Sequence, residues 1–205
     1  TDAKLFYYRW NNNFADAKNF AISKASGDWI VFLDADEYFT DESSSVLRNI
    51  IKREHKNIDS VDALLCTIIN VDTDNNNKEI HRFLNLRVFR NIKELKYYDK
   101  IHEGIGHSKR ELRLKIEKDN LQIIHTGYSK NIIEDKLKRN LKLLLEDIEK
   151  NGLQTKHYRY LSDCYQGLGD LEKSIKYAKL YTESGIVSFG TDSDVYRNLI
   201  VSMNL

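Results

Sequence analysis

The stretch that most constrains this chain is Trp29-Ile30-Val31-Phe32-Leu33, a short and continuously apolar run closed by Asp34-Ala35-Asp36-Glu37. A run of this kind reads as a strand buried on both faces, with helices above and below it. The flanks agree with that reading. Upstream, Asn11, Asn12 and Asn13 offer a polar cap, and Phe14, Ala17, Ala21 and Ala25 then fall on one helical face that Gly27 ends. Downstream, serines 43 to 45 can cap a helix carrying Val46, Leu47, Ile50 and Ile51, and the β-branched segment from Ala63 to Val71 follows as another strand. Alternating strand and helix of this kind predicts an α/β domain.

Further strands are expected around that core. Lys4 to Trp10, rich in aromatics, reads as a first strand. A polar loop from Asp72 to Lys78 leads into short strands at His81 to Arg90, Lys96 to Ile101, Leu112 to Glu117 and Leu121 to His125, predicted as antiparallel or mixed additions to the sheet. Composition changes near Gly127. Ile133, Leu137, Leu141, Leu144 and Ile148 have helical spacing, with Gly152 placed for a left-handed C-cap. A second helix carries Tyr158, Leu161, Tyr165 and Leu168, and Gly169-Asp170 turns the chain into a third with Leu171, Ile175 and Ala178. A fourth is expected from Asp192 to Met203. The two helices joined by Gly-Asp resemble one tetratricopeptide-like unit, with Ser174 where a small Ala is usual. The predicted division is therefore 1–128 for the α/β domain and 129–205 for the helices.

The bulk numbers exclude several classes. With 32 basic against 31 acidic residues the net charge is +1, which gives no footprint for nucleic acid or an anionic membrane. Cys66 and Cys164 lie far apart without CxxC spacing, which argues against a disulfide framework or structural zinc and favours a reducing, cytoplasmic setting. No run approaches the ~18 apolar residues of a membrane span, and no signal-peptide pattern opens the chain. The absence of an initial Met before an immediate strand pattern suggests a fragment of a larger protein.

Asp34 and Asp36 stand two apart at the C-terminal edge of the apolar strand, so both can project into the crevice above the sheet. Two hard carboxylates hold Mg2+ or Mn2+ incompletely and leave positions for diphosphate oxygens, so the cation can neutralise a departing nucleotide. A bare Asp-x-Asp is more often a polar stop after a strand; the surrounding sequence reverses that reading. Phe14 to Ala21, followed by Ser26-Gly27-Asp28 and the apolar run into Asp34-Ala35-Asp36-Glu37, resembles the signature of GT-A family 2 glycosyltransferases. In that family a helix with Arg-Asn and Ala leads to Gly-Asp, an apolar strand and Asp-Ala-Asp-Glu. Leu86-Arg87-Val88-Phe89-Arg90, Tyr97, Ile101-His102-Glu103 and Ile124-His125-Thr126-Gly127-Tyr128 recur in the order found in members with helical repeats. Lys136, Arg139-Asn140 and Leu143-Leu144 match the helix that follows.

The resemblance implies a truncated GT-A domain, three-layered α/β/α, with a TPR-like helical region behind it. It implies a metal-dependent, inverting transfer of sugar from a nucleotide-diphosphate sugar to a glycan, lipid-linked or protein acceptor, in a bacterial cytoplasm or peripherally at the inner face of the membrane. Asp34 and Asp36 would bind Mn2+ or Mg2+ and the donor diphosphate, and His125 would complete the metal or phosphate site. Glu103 would be the base on an acceptor hydroxyl or thiol. Lys18 would face the diphosphate, although Lys replaces the family's Arg there and loses its bidentate fork. Glu103 precedes Gly104 and Gly106, where flexible backbone could bring its carboxylate near the acceptor hydroxyl. Structural alternatives stay open: His125 as an ordinary strand-end histidine, Glu103 as a solvated loop residue, and Arg87 and Arg90, which could face phosphate or acceptor, as exposed or salt-bridged. Two other functions fit parts of the sequence. Haloacid dehalogenase phosphatases also place Asp-x-Asp after a strand, but with Thr or Val where Tyr38 stands here. The helices could instead form a non-catalytic module for a protein partner.

Overall fold

The structure, a computed structural model, describes residues 2–56, 61–127, 130–186 and 192–203, with the side chains of 130–132 and 192–194 outside that description. The chain divides into two compact units, residues 1–129 and 130–205.

In the first unit, α1 (Phe14–Ile22) starts where the Asn13 side chain accepts from the Asp16 N–H, and it stops at Ser23, four residues before Gly27. Residues 4–10 form no strand. Their aromatic rings pack on α1 instead, Tyr8 against Phe20 and Trp10 against Phe14, with ring centres 5.1 and 4.8 Å apart. β1 (Trp29–Val31) is shorter than the apolar run and pairs on one side only among the described residues. Val31 is 38% exposed for that reason, so the run is an edge strand and not the doubly buried one its composition suggests. The doubly buried strand is β3 (Ala63–Asp72), where every residue from 63 to 71 is buried.

β2 (Glu37–Phe39) and α2 (Asp41–His55) follow β1. The cap of α2 is Thr40, whose hydroxyl accepts from the Ser43 N–H; a cap of this type contributes about 1 kcal/mol. Ser43, expected as a cap, lies in the first turn and accepts from the Gln122 N–H at 2.8 Å. After β3 come β4 (Lys78–Arg90), β5 (Leu95–Tyr98), β6 (Gly104–His107), β7 (Leu114–Ile116) and β8 (Gln122–His125). The main sheet runs β1-β4-β3-β8-β2, with β7 also on β3; β7 and β8 are parallel to β3 and the other pairings are antiparallel. The mixed sheet is as expected; β2 and β6 were not foreseen.

Two cores confirm the layers. Ala15 of α1 packs with Ile30, Ala63, Leu65, Leu86, Phe89, Leu95 and Tyr97 on one face. Ile50 of α2 packs with Leu64, Cys66, Ile68, Val88, Leu121 and Ile123 on the other. Leu86 and Phe89 share a face although three apart, because the β3–β4 register slips between Leu64 paired with Val88 and Leu65 paired with Leu86. Arg87 is the extra residue of that bulge, a device that re-aims a side chain.

The second unit holds α3 (Lys130–Asn151), α4 (Thr155–Gly167), α5 (Leu171–Glu183) and α6 (Asp192–Met203). Gly152 takes the left-handed conformation, φ +78°, and donates to the Ile148 carbonyl, as its placement predicts. Gly169 does the same at φ +82°, and Asp170 caps α5 by accepting from the Lys173 N–H. Ser174, fully buried, donates to the Ser162 carbonyl at 3.1 Å, which answers the polarity of a hydroxyl at a helix contact. Tyr165 and Tyr177 stack at 5.8 Å.

Candidate functional site

The turn after β1 is fixed from inside. The Glu37 N–H donates to the Asp34 carbonyl, and the Glu37 carboxylate accepts from the Asp34 N–H at 3.1 Å. Arg87, delivered by its bulge, grips Glu37 with both prongs: Nε to Oε2 at 2.9 Å and Nη2 to Oε1 at 2.6 Å. The same Nη2 reaches Asp34 Oδ2 at 3.1 Å. Glu37 is 1% exposed and Arg87 9%, so this pair lies in the interior while Asp34, at 38%, is partly exposed.

Lys18, projecting from α1, stands on the other side of Asp34. Its Nζ lies 3.3 Å from Asp34 Oδ1 and 2.7 Å from Glu103 Oε1. The rings of Phe32 and Tyr97 flank the ammonium at 5.1 and 5.2 Å, a cation–π arrangement. Asn19, next to Lys18, anchors this part of α1 by exchanging two 2.9 Å hydrogen bonds with the Tyr97 backbone. Burial pushes the Tyr97 phenol up, so it stays protonated at neutral pH.

Glu103 is reached through His102, whose φ of +54° places it in the left-handed region. Gly104 and Gly106, expected as flexible loop, lie in a strand, β6, and Glu103 is 15% exposed, so it is not a solvated side chain.

Asp36 belongs to a second constellation. Its Oδ2 is 3.3 Å from His125 Nε2, and its backbone carbonyl accepts from both the N–H and the hydroxyl of Thr126. The opposite ring nitrogen, His125 Nδ1, lies 2.8 Å from Asn70 Oδ1. The amide nitrogen of Asn70 lies 3.2 Å from His81 Nε2. Strand register explains the alignment: His81 pairs with Asn70, Asn70 with His125, and His125 with Glu37, so four polar residues cross β4, β3, β8 and β2 in one row.

The predicted metal trio therefore separates. Asp36 and His125 come together, Asp34 turns to Lys18 and Arg87, and among the described residues no group of three or more His, Cys, Asp or Glu is gathered for an ion. The donor chemistry of the Asp36–His125 pair suits a divalent cation, a carboxylate oxygen beside an imidazole nitrogen. Two ligands at about 2.1 Å and a right angle from one ion stand about 3 Å apart, close to the separation of the pair.

Sequence reasoning reached Lys18, Asp34, Asp36, Glu103 and His125 and missed Glu37, Asn70 and His81. Arg87 and Arg90 were set aside; both are buried, Arg90 donating to the carbonyls of Val61 and Glu54. The signal for Asn70 was a lone amide in the apolar run Ile68-Ile69-Asn70-Val71, which can be buried only with partners on neighbouring strands. Tyr128 lies outside the described residues.

The profile of glycosyl transferase family 2 matches residues 1–119, over half of the sequence. The chain belongs to glycosyltransferase family 2. The haloacid dehalogenase alternative falls with that membership. This family 2 chain is 27% identical over 197 residues to a TPR repeat-containing protein of Synechococcus elongatus, covering 90% of this chain and 44% of that protein. It is 28% identical over 147 residues to the SPbeta prophage-derived glycosyltransferase SunS of Bacillus subtilis, covering 71% of this chain and 33% of that protein, and equally to SunS of Bacillus phage SPbeta. The chain thus spans less than half the length of these relatives. The second of its units is TPR-like, and no helix among the described residues is long and apolar enough to cross a membrane.

Proposed function

We propose that residues 1–128 are the acceptor-side part of a metal-dependent, inverting glycosyltransferase domain, and that 129–205 are a helical region able to engage a protein partner. The donor is a nucleotide-diphosphate sugar and the acceptor a glycan, lipid-linked or protein group. Asp36 and His125 hold Mn2+ or Mg2+, with Asp34 as the second carboxylate of the turn. The bound cation supplies charge neutralisation for a leaving diphosphate. Lys18 faces that diphosphate and Glu103 takes the proton of the attacking hydroxyl or thiol.

The observation that carries this reading is the junction at Lys18. One ammonium bridges Asp34, from the motif after β1, and Glu103, nearly seventy residues later, so the donor-side and acceptor-side groups of the reading meet at one point. An arriving diphosphate competes for Lys18 as an anion. That competition loosens the Lys18–Glu103 bond and leaves the carboxylate as the acceptor for a proton.

The test is a screen of nucleotide-sugar hydrolysis by the full-length protein, with and without Mn2+. We expect turnover that depends on Mn2+, and Asp36→Ala to remove both the turnover and its metal dependence. An Asp36→Ala protein that keeps its rate refutes the site.

A further inference from the structure

Asn70 is fully buried near the C-terminal end of β3, an expensive place for an amide unless both ends are bonded. Both ends are. Oδ1 lies 2.8 Å from His125 Nδ1, and Nδ2 lies 3.2 Å from His81 Nε2 and 3.4 Å from His81 Nδ1. The two histidines occupy the register positions directly across from Asn70 on β8 and β4, so the amide is clamped between rings on both neighbouring strands.

We propose that Asn70 is a positioning residue that sets the tautomer of His125. Both ring nitrogens of His125 face acceptors, but Asn70 Oδ1 is the nearer, 2.8 Å from Nδ1 against 3.3 Å from Nε2 to the Asp36 carboxylate, so Nδ1 is the donor and in the neutral ring the lone pair lies on Nε2. His81 lies on the other side of the amide, its ring nitrogens 3.2 and 3.4 Å from Nδ2; with one of them as acceptor, Oδ1 stays towards His125. Without the Asn70 oxygen the preference reverses. The Asp36 carboxylate is then the nearest strong acceptor, and it draws the ring proton to Nε2, where a proton and a cation exclude one another.

The functional consequence rests on the cation-holding role proposed above for Asp36 and His125; the tautomer itself does not. A partner that holds the far nitrogen of a ligating histidine changes metal affinity by about 10- to 100-fold when it is removed.

Two measurements on the full-length protein separate these claims. Nitrogen-15 spectra of histidine-labelled protein at pH 8 without added metal, with His125 assigned by its loss in His125→Gln, report which nitrogen carries the proton. The expected result is a protonated Nδ1 and a bare Nε2 in the native protein, with the proton moved to Nε2 in Asn70→Leu. Asn70→Asp keeps an acceptor against Nδ1 and retains the native tautomer. Titration with Mn2+ alone, followed by electron paramagnetic resonance, is expected to weaken about 10- to 100-fold in Asn70→Leu and to stay close to native in Asn70→Asp.

A native His125 with its proton on Nε2, which the opposite amide direction would produce, overturns the proposal. So does an Asn70→Leu protein whose His125 tautomer is unchanged. If Asn70→Leu fails to fold, Asn70→Ala and the native spectrum decide the question. Native protein that binds no Mn2+ removes the metal reading of the site, while the spectra still decide the role of Asn70.

Discussion

Replacing Glu37 by Gln isolates the element that holds the Asp34 turn. The substitution keeps the shape but removes the charge that Arg87 grips at 2.9 and 2.6 Å, in a place where the two side chains are 1% and 9% exposed. Removing one partner of a buried ion pair leaves the other charge uncompensated and costs about 3–5 kcal/mol. Arg87 keeps its bond to Asp34 at 3.1 Å, and the Gln carbonyl can still accept one hydrogen bond, so the lower end, about 3 kcal/mol, is expected. Urea unfolding followed by tryptophan fluorescence reads this directly, because the chain has two tryptophans, Trp10 and Trp29, and both lie in the first unit. The double variant Glu37→Leu with Arg87→Leu carries no stranded charge, so its loss should fall short of the sum of the single leucine variants by about 1–3 kcal/mol. A Glu37→Gln loss under about 1 kcal/mol, or strict additivity of the leucine variants, would refute the argument that the pair is a buried, coupled unit.

Asp62 should make the first unit acid-labile. Burial works against its charge, but hydrogen bonds from Arg110 and Arg113 outweigh that and hold its carboxyl well below the ordinary range. The stabilisation is therefore complete above the unfolded value of about 3.9 and is lost as pH falls below it. The urea midpoint should drop steeply below about pH 4 in the native protein and less steeply in Asp62→Asn; parallel profiles would count against it. The thiols of Cys66 and Cys164, each pushed up to about 12 chiefly by burial, should resist iodoacetamide at pH 8 in the folded chain and react once urea unfolds it. Rapid labelling of the native protein would show one of these sites to be open.

Local signals found the elements whose own side chains decide them. Asn13, Gly152 and Gly169 punctuate helices through their own hydrogen bonds or their tolerance of positive φ, and all three act as their identity predicts. Where the reading failed, the deciding contact was distant. Trp29 to Leu33 is as apolar as a central strand, yet only β4 pairs with it among the described residues, and doubly buried β3 instead carries Thr67 and Asn70. Tyr8 and Trp10 have the composition of a strand, but rings on α1 are what they meet.

The site follows the same division for a reason that lies in sheet geometry. Asp34, Asp36, Lys18, Glu103 and His125 were legible because a motif names residue types at fixed spacing. Their partners were not, because each pairing joins residues far apart: Glu37 with Arg87, Lys18 with Glu103, and Asn70 with His125. Lys18 and Glu103 meet where α1 packs near the residue before β6, and the other two meetings depend on strand register, in which a slip of one residue turns every side chain of a strand to the opposite face. The bulge at Arg87 shows how little sequence signal such a slip needs. One extra residue between Leu86 and Val88 leaves Leu86 and Phe89 on the same face and brings the guanidinium to Glu37. Composition alone leaves Arg87 as ready for solvent as for the interior. The buried carboxylate across the sheet decides between them, because neither charge can be dehydrated at tolerable cost without the other.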